Sequence, residues 1–270
     1  MPTIGTNPSA QNAIYFLGVA DFNLQKATRR LSSGSKISDP SDDAAGVAVS
    51  GKLDASIRRL SAASESVQNL ISFAQVADSF LHEIQDQLTR MSELATRATN
   101  AAFSASDRGN YMTEFAKLQS NITNQITNAK FNNTRVFDTS QTISTSVSQD
   151  GINIYTITMA DANGSVSNIT AAEISTTSGA SAAIANLSTA LERIASSRAN
   201  VNADIAALNF YIQNLDPERV RTSEANSRIK DLDFADESTQ FAKYSVLSQA
   251  GYSMLAQANS TQATVLGLLR

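Results

Sequence analysis

From Ala44 to Asn100 the chain contains no proline, and its only glycines there, Gly46 and Gly51, fall near the start. Leu53, Ile57, Leu60, Val67, Ile71 and Ala74 keep a heptad-like spacing with Ser64 in one place. After one phase slip, Ala77, Leu81, Ile84, Leu88, Met91, Ala95 and Ala98 resume it. Apolar residues at that period line one face of a helix and need other helices to cover them. At about 1.5 Å per residue such a helix reaches on the order of 85 Å. A chain holding a helix of this length must arrange the rest of its fold along it.

A second stretch answers the first. From Ala183 onward Ile184, Leu187, Leu191, Ile194, Val201, Ile205, Leu208, Ile212 and Leu215 keep the same spacing, with only Arg198 breaking the line. Pro217 predicts a kink or a short break near Asp216. Between the two stretches, residues 104–107 open a shorter helix that carries Phe115, Leu118, Ile122 and Ile126 inward, and the Asn-rich residues 130–137 end it. Residues 138–182 are rich in Ser, Thr and Gly and form a short insert. Within it Ile152, Ile154, Thr156 and Thr158 alternate with Asn153, Tyr155, Ile157 and Met159, a strand pattern, and residues 161–164 read as a turn.

Both ends carry amphipathic helices. Near the start, Ile14, Leu17, Leu24 and Leu31 share a face that ends at the Ser32-Ser33-Gly34 break. Pro40 and the oxygens of Asp39, Ser41, Asp42 and Asp43 then suit the opening of the long helix. At the other end Tyr244, Leu247, Gly251, Met254, Ala258, Thr261, Val265 and Leu268 line one face, flanked by Val246, Leu255, Leu266 and Leu269. Neither terminal helix can bury itself. The expected fold class is mainly α: a long antiparallel helical bundle or coiled coil with paired terminal helices and a small β-hairpin region. The expected division is a terminal-helix domain of residues 1–43 and 226–270 with a connecting spoke, and a helical rod of residues 44–225 containing the insert 138–182.

The chemistry implied by composition is sparse. Aromatics make up 6% of the residues and Trp is absent, which favours slender helix-on-helix packing. Twenty-one basic against 25 acidic residues, with no basic run, removes nucleic acid from the expected partners. No cysteine supplies a thiolate. The single histidine, His82, has no nucleophile or motif partner in sequence, and no P-loop, GxGxxG or HExxH occurs. Asp231, Asp233, Asp236 and Glu237 fit the acidic first turn of the last helix better than a cation loop. No catalytic residue, metal or cofactor is expected. There is no run of 18 apolar residues, and the N-terminus lacks a charged n-region and an apolar h-region, so export is expected by a route other than a secretory signal peptide. Residues 239–269 offer only Lys243 as a cation, which favours protein partners over a membrane surface for the closing helix.

Residues 29–50, RRLSSGSKISDPSDDAAGVAVS, carry segments that resemble the hallmarks of bacterial flagellin, the subunit of the flagellar filament. Residues 227–238, SRIKDLDFADES, residues 249–259, QAGYSMLAQAN, and residues 265–270, VLGLLR, resemble the family's other end in type and order. The resemblance covers roughly residues 1–137 and 183–270. It departs at Gln262, where the family usually has proline.

The resemblance implies a secreted structural subunit of the extracellular flagellum, not an enzyme, that polymerises into a helical tube for swimming motility. In that family the terminal helices form an inner coiled coil, the long helices surround it, and the middle faces outward; the short insert marks a form without large outer domains. The polymerisation residues on this basis are Ile14, Leu17, Leu24, Leu31, Leu247, Met254, Leu255, Val265, Leu266, Leu268 and Leu269. The implied partners are copies of the same chain, a dedicated export chaperone, the type III export apparatus, and the filament cap and hook-junction proteins. The family is also recognised by a vertebrate Toll-like innate receptor, whose contacts resemble Arg90, Leu94 and Glu114 here, whereas Thr89 and Ser92 depart from the pattern. Two rival readings are a hook-filament junction protein, which shares related ends, and a secreted helical translocator or membrane-active effector.

Overall fold

The computed structural model describes residues 6–137, 141–159 and 161–267, and side chains of that last stretch only as far as Thr261. Helix α1 (Pro8–Ser33) starts on an Asn7 cap, whose Oδ1 accepts from the Ala10 amide at 3.1 Å, with Pro8 in the first turn. It ends at Gly34, whose φ of 66° places it in the left-handed region while its N–H closes on the Arg30 carbonyl. Then come α2 (Ala44–Ala98), α3 (Ala105–Asn128), β1 (Lys130–Phe131), β2 (Thr134–Arg135), β3 (Thr142–Ser146), β4 (Ile154–Thr158), α4 (Ala162–Val166), α5 (Thr177–Lys230) and α6 (Phe234–Gly267). The described residues divide into two compact units. One holds the chain up to Ile57 and from Arg221 onward; the other is Arg58–Val220.

The Arg58–Val220 unit contains a continuous apolar core. On α2 the buried residues Leu60, Ala63, Val67, Leu70, Ala74, Ala77, Leu81, Ile84, Leu88, Met91, Ala95 and Ala98 run in unbroken steps of four and three. The phase slip expected from the sequence disappears because Ala63 and Leu70 carry the line, with Ser64 and Ile71 buried beside them. On α5 the buried line runs through Ala180, Ala183, Leu187, Ala190, Ile194, Ser197, Val201, Leu208 and Leu215. Ile184, Leu191, Ile205 and Ile212 pack against the core from its flank, and Arg198 stands on that same flank. Its guanidinium grips Asp78 through Nε at 2.9 Å and Nη2 at 3.3 Å and donates to Gln85 at 2.8 Å. A fork satisfied on both sides explains how a cation stands in an apolar stretch.

Helix α3 opens on a Ser104/Asp107 capping box and buries Phe115, Ile122 and Ile126. The Asn-rich stretch that follows is a hairpin. β1 and β2 pair antiparallel across Asn132 and Asn133, whose φ values of 48° and 64° suit a tight two-residue turn. β3 and β4 form the second antiparallel pair, with Thr142 opposite Thr158 and Ser146 opposite Ile154. Its inward face carries Ile157 and Met159, leaving Ile152 and Ile154 exposed. Asp161 accepts from the Gly164 amide at 2.9 Å, so the expected turn is the first turn of α4. Pro217 lies inside α5 without breaking it.

Leu208 is fully buried in this core. Leu208→Ala should lower unfolding stability by about 2 to 5 kcal/mol, and Leu208→Asp should lower it further by leaving a charge unpaired. Denaturant melts of the monomer followed by circular dichroism check this, and unchanged midpoints would refute the assigned packing.

Candidate functional site

The unit built from the two ends of the chain is arranged differently. Helices α1 and α6 pack antiparallel, as three pairings show: Asn7 with Ala258, Leu17 with Gly251, and Arg30 with Glu237. On α1 the inward line is Ala10, Ala13, Leu17, Ala20, Leu24, Ala27 and Leu31, again in steps of three and four. On α6 the inward residues are Glu237, Tyr244, Ser248, Gly251, Leu255 and Ala258. The seam therefore alternates small residues with Leu17, Leu24, Leu31, Tyr244 and Leu255, and Glu237 closes one end of it. A Cβ at Gly251 would lie 3.1 Å from Leu17 Cδ1 and 3.4 Å from its Cβ, so glycine permits the close approach.

This geometry separates the sequence-derived assembly residues. Leu17, Leu24, Leu31 and Leu255 face the seam, buried or half-buried. Ile14 does not: it is 55% exposed, because alanines at 10 and 13 occupy the inward positions. Leu247 and Met254 are likewise 46% and 67% exposed, displaced from the seam by Ser248 and Leu255 one residue further on. Val265 and Leu266 lie in α6 beyond the described side chains, and Leu268 and Leu269 lie outside the described residues. Large apolar groups accordingly stand on the outside of the pair: Ile14, Tyr15, Phe16, Val19 and Phe22 on α1, and Phe241, Val246, Leu247, Tyr252 and Met254 on α6.

Polar contacts that the sequence reading missed fasten the pair. Asp21 accepts from Ser248 Oγ at 2.6 Å and from the Tyr252 hydroxyl at 3.2 Å. The hydrogen bond to Asp21, with its negative charge, raises the Tyr252 hydroxyl above its ordinary pKa. These residues are more than two hundred positions apart, so no local spacing marks them.

The spoke between α1 and α2 folds onto the same unit. Ser35 bridges Asp231, the Lys36 amide donates to the Lys230 carbonyl at 2.7 Å, and the Leu232 amide donates to the Gly34 carbonyl at 3.2 Å. Buried Ser50 donates to Asn226 at 2.8 Å, and Asn226 donates to Asp54 at 2.6 Å. Asp43 caps α2 through the Gly46 amide at 2.8 Å, and a Cβ at Gly46 would meet its carboxylate at 2.3 Å. Pro40 precedes the helix, in the turn where Asp39 accepts from Ser41. Asp42 turns back to α1, 2.7 Å from Lys26 and 3.4 Å from Arg30.

The receptor-type residues are split by burial. Arg90 and Glu114 are exposed and paired at 2.9 Å, with Arg90 also bound to Glu93. Leu94 is 1% exposed and belongs to the core, so it offers no surface to a partner in this conformation. Among the described residues no group of His, Cys, Asp and Glu is placed to hold a metal ion, and no helix is long and apolar enough to cross a membrane.

A helical core joined to an antiparallel pair of terminal helices, small inside and bulky outside, defines a class of subunit whose ends are built for contact with other helices. Comparison with known sequences agrees at both ends. Residues 4–142 match the bacterial flagellin N-terminal helical region and residues 184–269 match the bacterial flagellin C-terminal helical region. The flagellar filament 33 kDa core protein of Treponema phagedenis is 34% identical over 284 residues, covering 99% of each chain. A flagellin of Halalkalibacterium halodurans is 34% identical over 272 residues, again covering 99% of each. The crystal structure of Bacillus cereus flagellin shares the fold, with a TM-score of 0.52 at 24% identity, over 56% of this chain and 88% of that one. The chain belongs to the bacterial flagellin family, a family of structural proteins.

The Lys26 hydrogen bond, followed by the charges of Lys26 and Arg30, holds the Asp42 carboxyl below the usual carboxylate range. A lowered folded-state pKa contributes stability above the unfolded value, and that contribution is lost as pH falls through the folded one. Asp42→Asn should therefore reduce the acid sensitivity of terminal-unit helicity below about pH 4. Acid titrations followed by circular dichroism check this, with superimposable curves as the contrary result.

Proposed function

We propose that this chain is a structural subunit that polymerises into the bacterial flagellar filament, a helical tube for swimming, by folding its terminal helices as it assembles. The observation carrying the proposal is the inverted distribution on α1 and α6, with small residues in their mutual seam and large apolar residues outside it. Fixing a residue's backbone costs on the order of 1 to 2 kcal/mol. The few leucines of a seam otherwise rich in Ala, Ser and Gly offset only part of that, whereas covering each further large apolar side chain contributes roughly 1.5 to 3 kcal/mol. Copies of the same chain supply that cover. Ile14, Leu247 and Met254 then act between subunits, and Leu17, Leu24, Leu31 and Leu255 act within one. Val265, Leu266, Leu268 and Leu269 extend the assembling end.

The subunit is secreted and resides in the extracellular flagellum. Before assembly an export chaperone covers the closing helix, and the filament cap and hook-junction proteins meet the chain at the two ends of the polymer. Residues 1–43 and 226–270 form the terminal-helix domain with its connecting spoke, and residues 44–225 the helical rod. A Toll-like innate receptor reads the Arg90 and Glu114 surface, with Leu94 supporting it from below.

Removing residues 255–270 should leave a soluble helical monomer that does not polymerise. Seeded growth followed by electron microscopy checks this, and normal filaments from the truncated chain would sink the mechanism.

A further inference from the structure

The chain has five methionines, of which Met1 lies outside the described residues. Met91 and Met159 are buried in the core of the Arg58–Val220 unit. Met112 packs half-buried against that core, and its sulfur accepts from the Ile174 amide at 3.5 Å. Met254 differs from all three. It stands on α6 with 67% of its surface exposed, in a stripe with Leu247 and Ala250 at steps of three and four, and both of these are exposed as well. No charged residue occurs on α6 from Tyr244 to Gly267. The described thioether most open to solvent is thus also part of the apolar surface that neighbouring copies would cover.

An exposed thioether reacts with peroxides, which are two-electron oxidants. The sulfur lone pair attacks one oxygen of hydrogen peroxide, the O–O bond breaks, and proton transfer leaves the sulfoxide and water. The sulfur gains an oxygen and gives up two electrons, and no bond of the chain is cut. A flexible apolar side chain becomes a dipolar one whose oxygen needs a hydrogen-bond donor. In the free chain water supplies that donor. The α1–α6 seam is untouched, because Leu255 and not Met254 holds the inward place there. Between copies water is excluded, and Leu247 and Ala250 beside the sulfoxide offer no donor. Oxidation at this position therefore spares the fold of the subunit and opposes its contact with others.

We propose that Met254 is a peroxide-sensitive modification site whose oxidation to the sulfoxide keeps a subunit out of the polymer, while assembly shields the reduced side chain. The proposal rests on the assembly reading above, which places this stripe between subunits. The polymer takes up reduced copies and leaves oxidised ones behind. Methionine sulfoxide reductases return those to the pool, converting sulfoxide and two thiols to thioether, disulfide and water.

Trypsin separates the five methionines, because different Lys and Arg residues bound each of them. The full-length subunit is treated with hydrogen peroxide, digested and read by mass spectrometry, and its critical concentration for seeded growth is measured. Oxygen should appear on residues 244–270 before residues 91–97, 109–117 and 136–193, with the circular dichroism of the free chain unchanged. The critical concentration should rise about tenfold, the effect of one polar group left unpaired in a contact. In finished filaments exposed to the same peroxide, residues 244–270 should stay unmodified. Met254→Leu, treated identically, should grow as it does untreated. Should leucine itself hinder growth, reductases for both sulfoxide epimers with dithiothreitol should restore the oxidised unaltered chain. Earlier modification of the other three peptides, undiminished growth of chains carrying Met254 sulfoxide, equal loss in treated Met254→Leu, or no recovery with the reductases overturns the proposal. Failure of the untreated, unaltered chain to grow on seeds overturns the assembly reading instead.

Discussion

Leu17 rests against the bare backbone of Gly251, and the rest of the terminal unit follows from how near that brings two helices. Close approach requires small residues along both inward lines, and Ala10, Ala13, Ala20 and Ala27 on one side meet Ser248, Gly251 and Ala258 on the other. The seam admits Leu17, Leu24, Leu31, Tyr244 and Leu255, and the remaining bulky apolar groups are kept from it. They stand outside it, where a subunit alone cannot cover them. The pair thus leaves large apolar groups for other helices to cover.

The Arg58–Val220 unit solves the opposite problem. Its lines on α2 and α5 are filled with Leu, Ile, Val and Met as well as Ala, and these close on one another with little exposure. Burial of that extent is self-sufficient. One chain therefore contains a part that folds by burying its own large residues and a part that holds large residues in reserve. This division is what a subunit needs if it is to remain soluble before it polymerises.

The long helices were legible from spacing because large apolar residues repeat over many turns, whereas the residues of the terminal seam were not. Ile14, Leu247 and Met254 were read as polymerisation residues, and the structure sets them on the outside of the pair while alanines and Ser248 share the seam with the leucines. Hydrophobic periodicity weights bulk, whereas a narrow seam selects its absence, and seam width is a property of two helices together. Asp21, Ser248 and Tyr252 were invisible for a related reason: their partnership exists only after two distant segments meet. The Asn132-Asn133 turn was hidden by reading an Asn-rich stretch only as a helix end, although two residues tolerant of positive φ between short strands are a hairpin signal. Leu94 matched a recognition pattern in sequence, but its place beside Met91 and Ala95 on the buried side of α2 puts it in the core.

Pro217 has a mechanical meaning in a helix that does not break. Lacking an N–H, it leaves the carbonyl of Gln213 without its usual axial bond, so one rung of the α5 ladder is missing. A rod with one missing rung is not uniformly stiff. Curvature imposed on α5 collects at that turn at lower elastic cost than anywhere else along it, giving the helix a built-in place to flex under load.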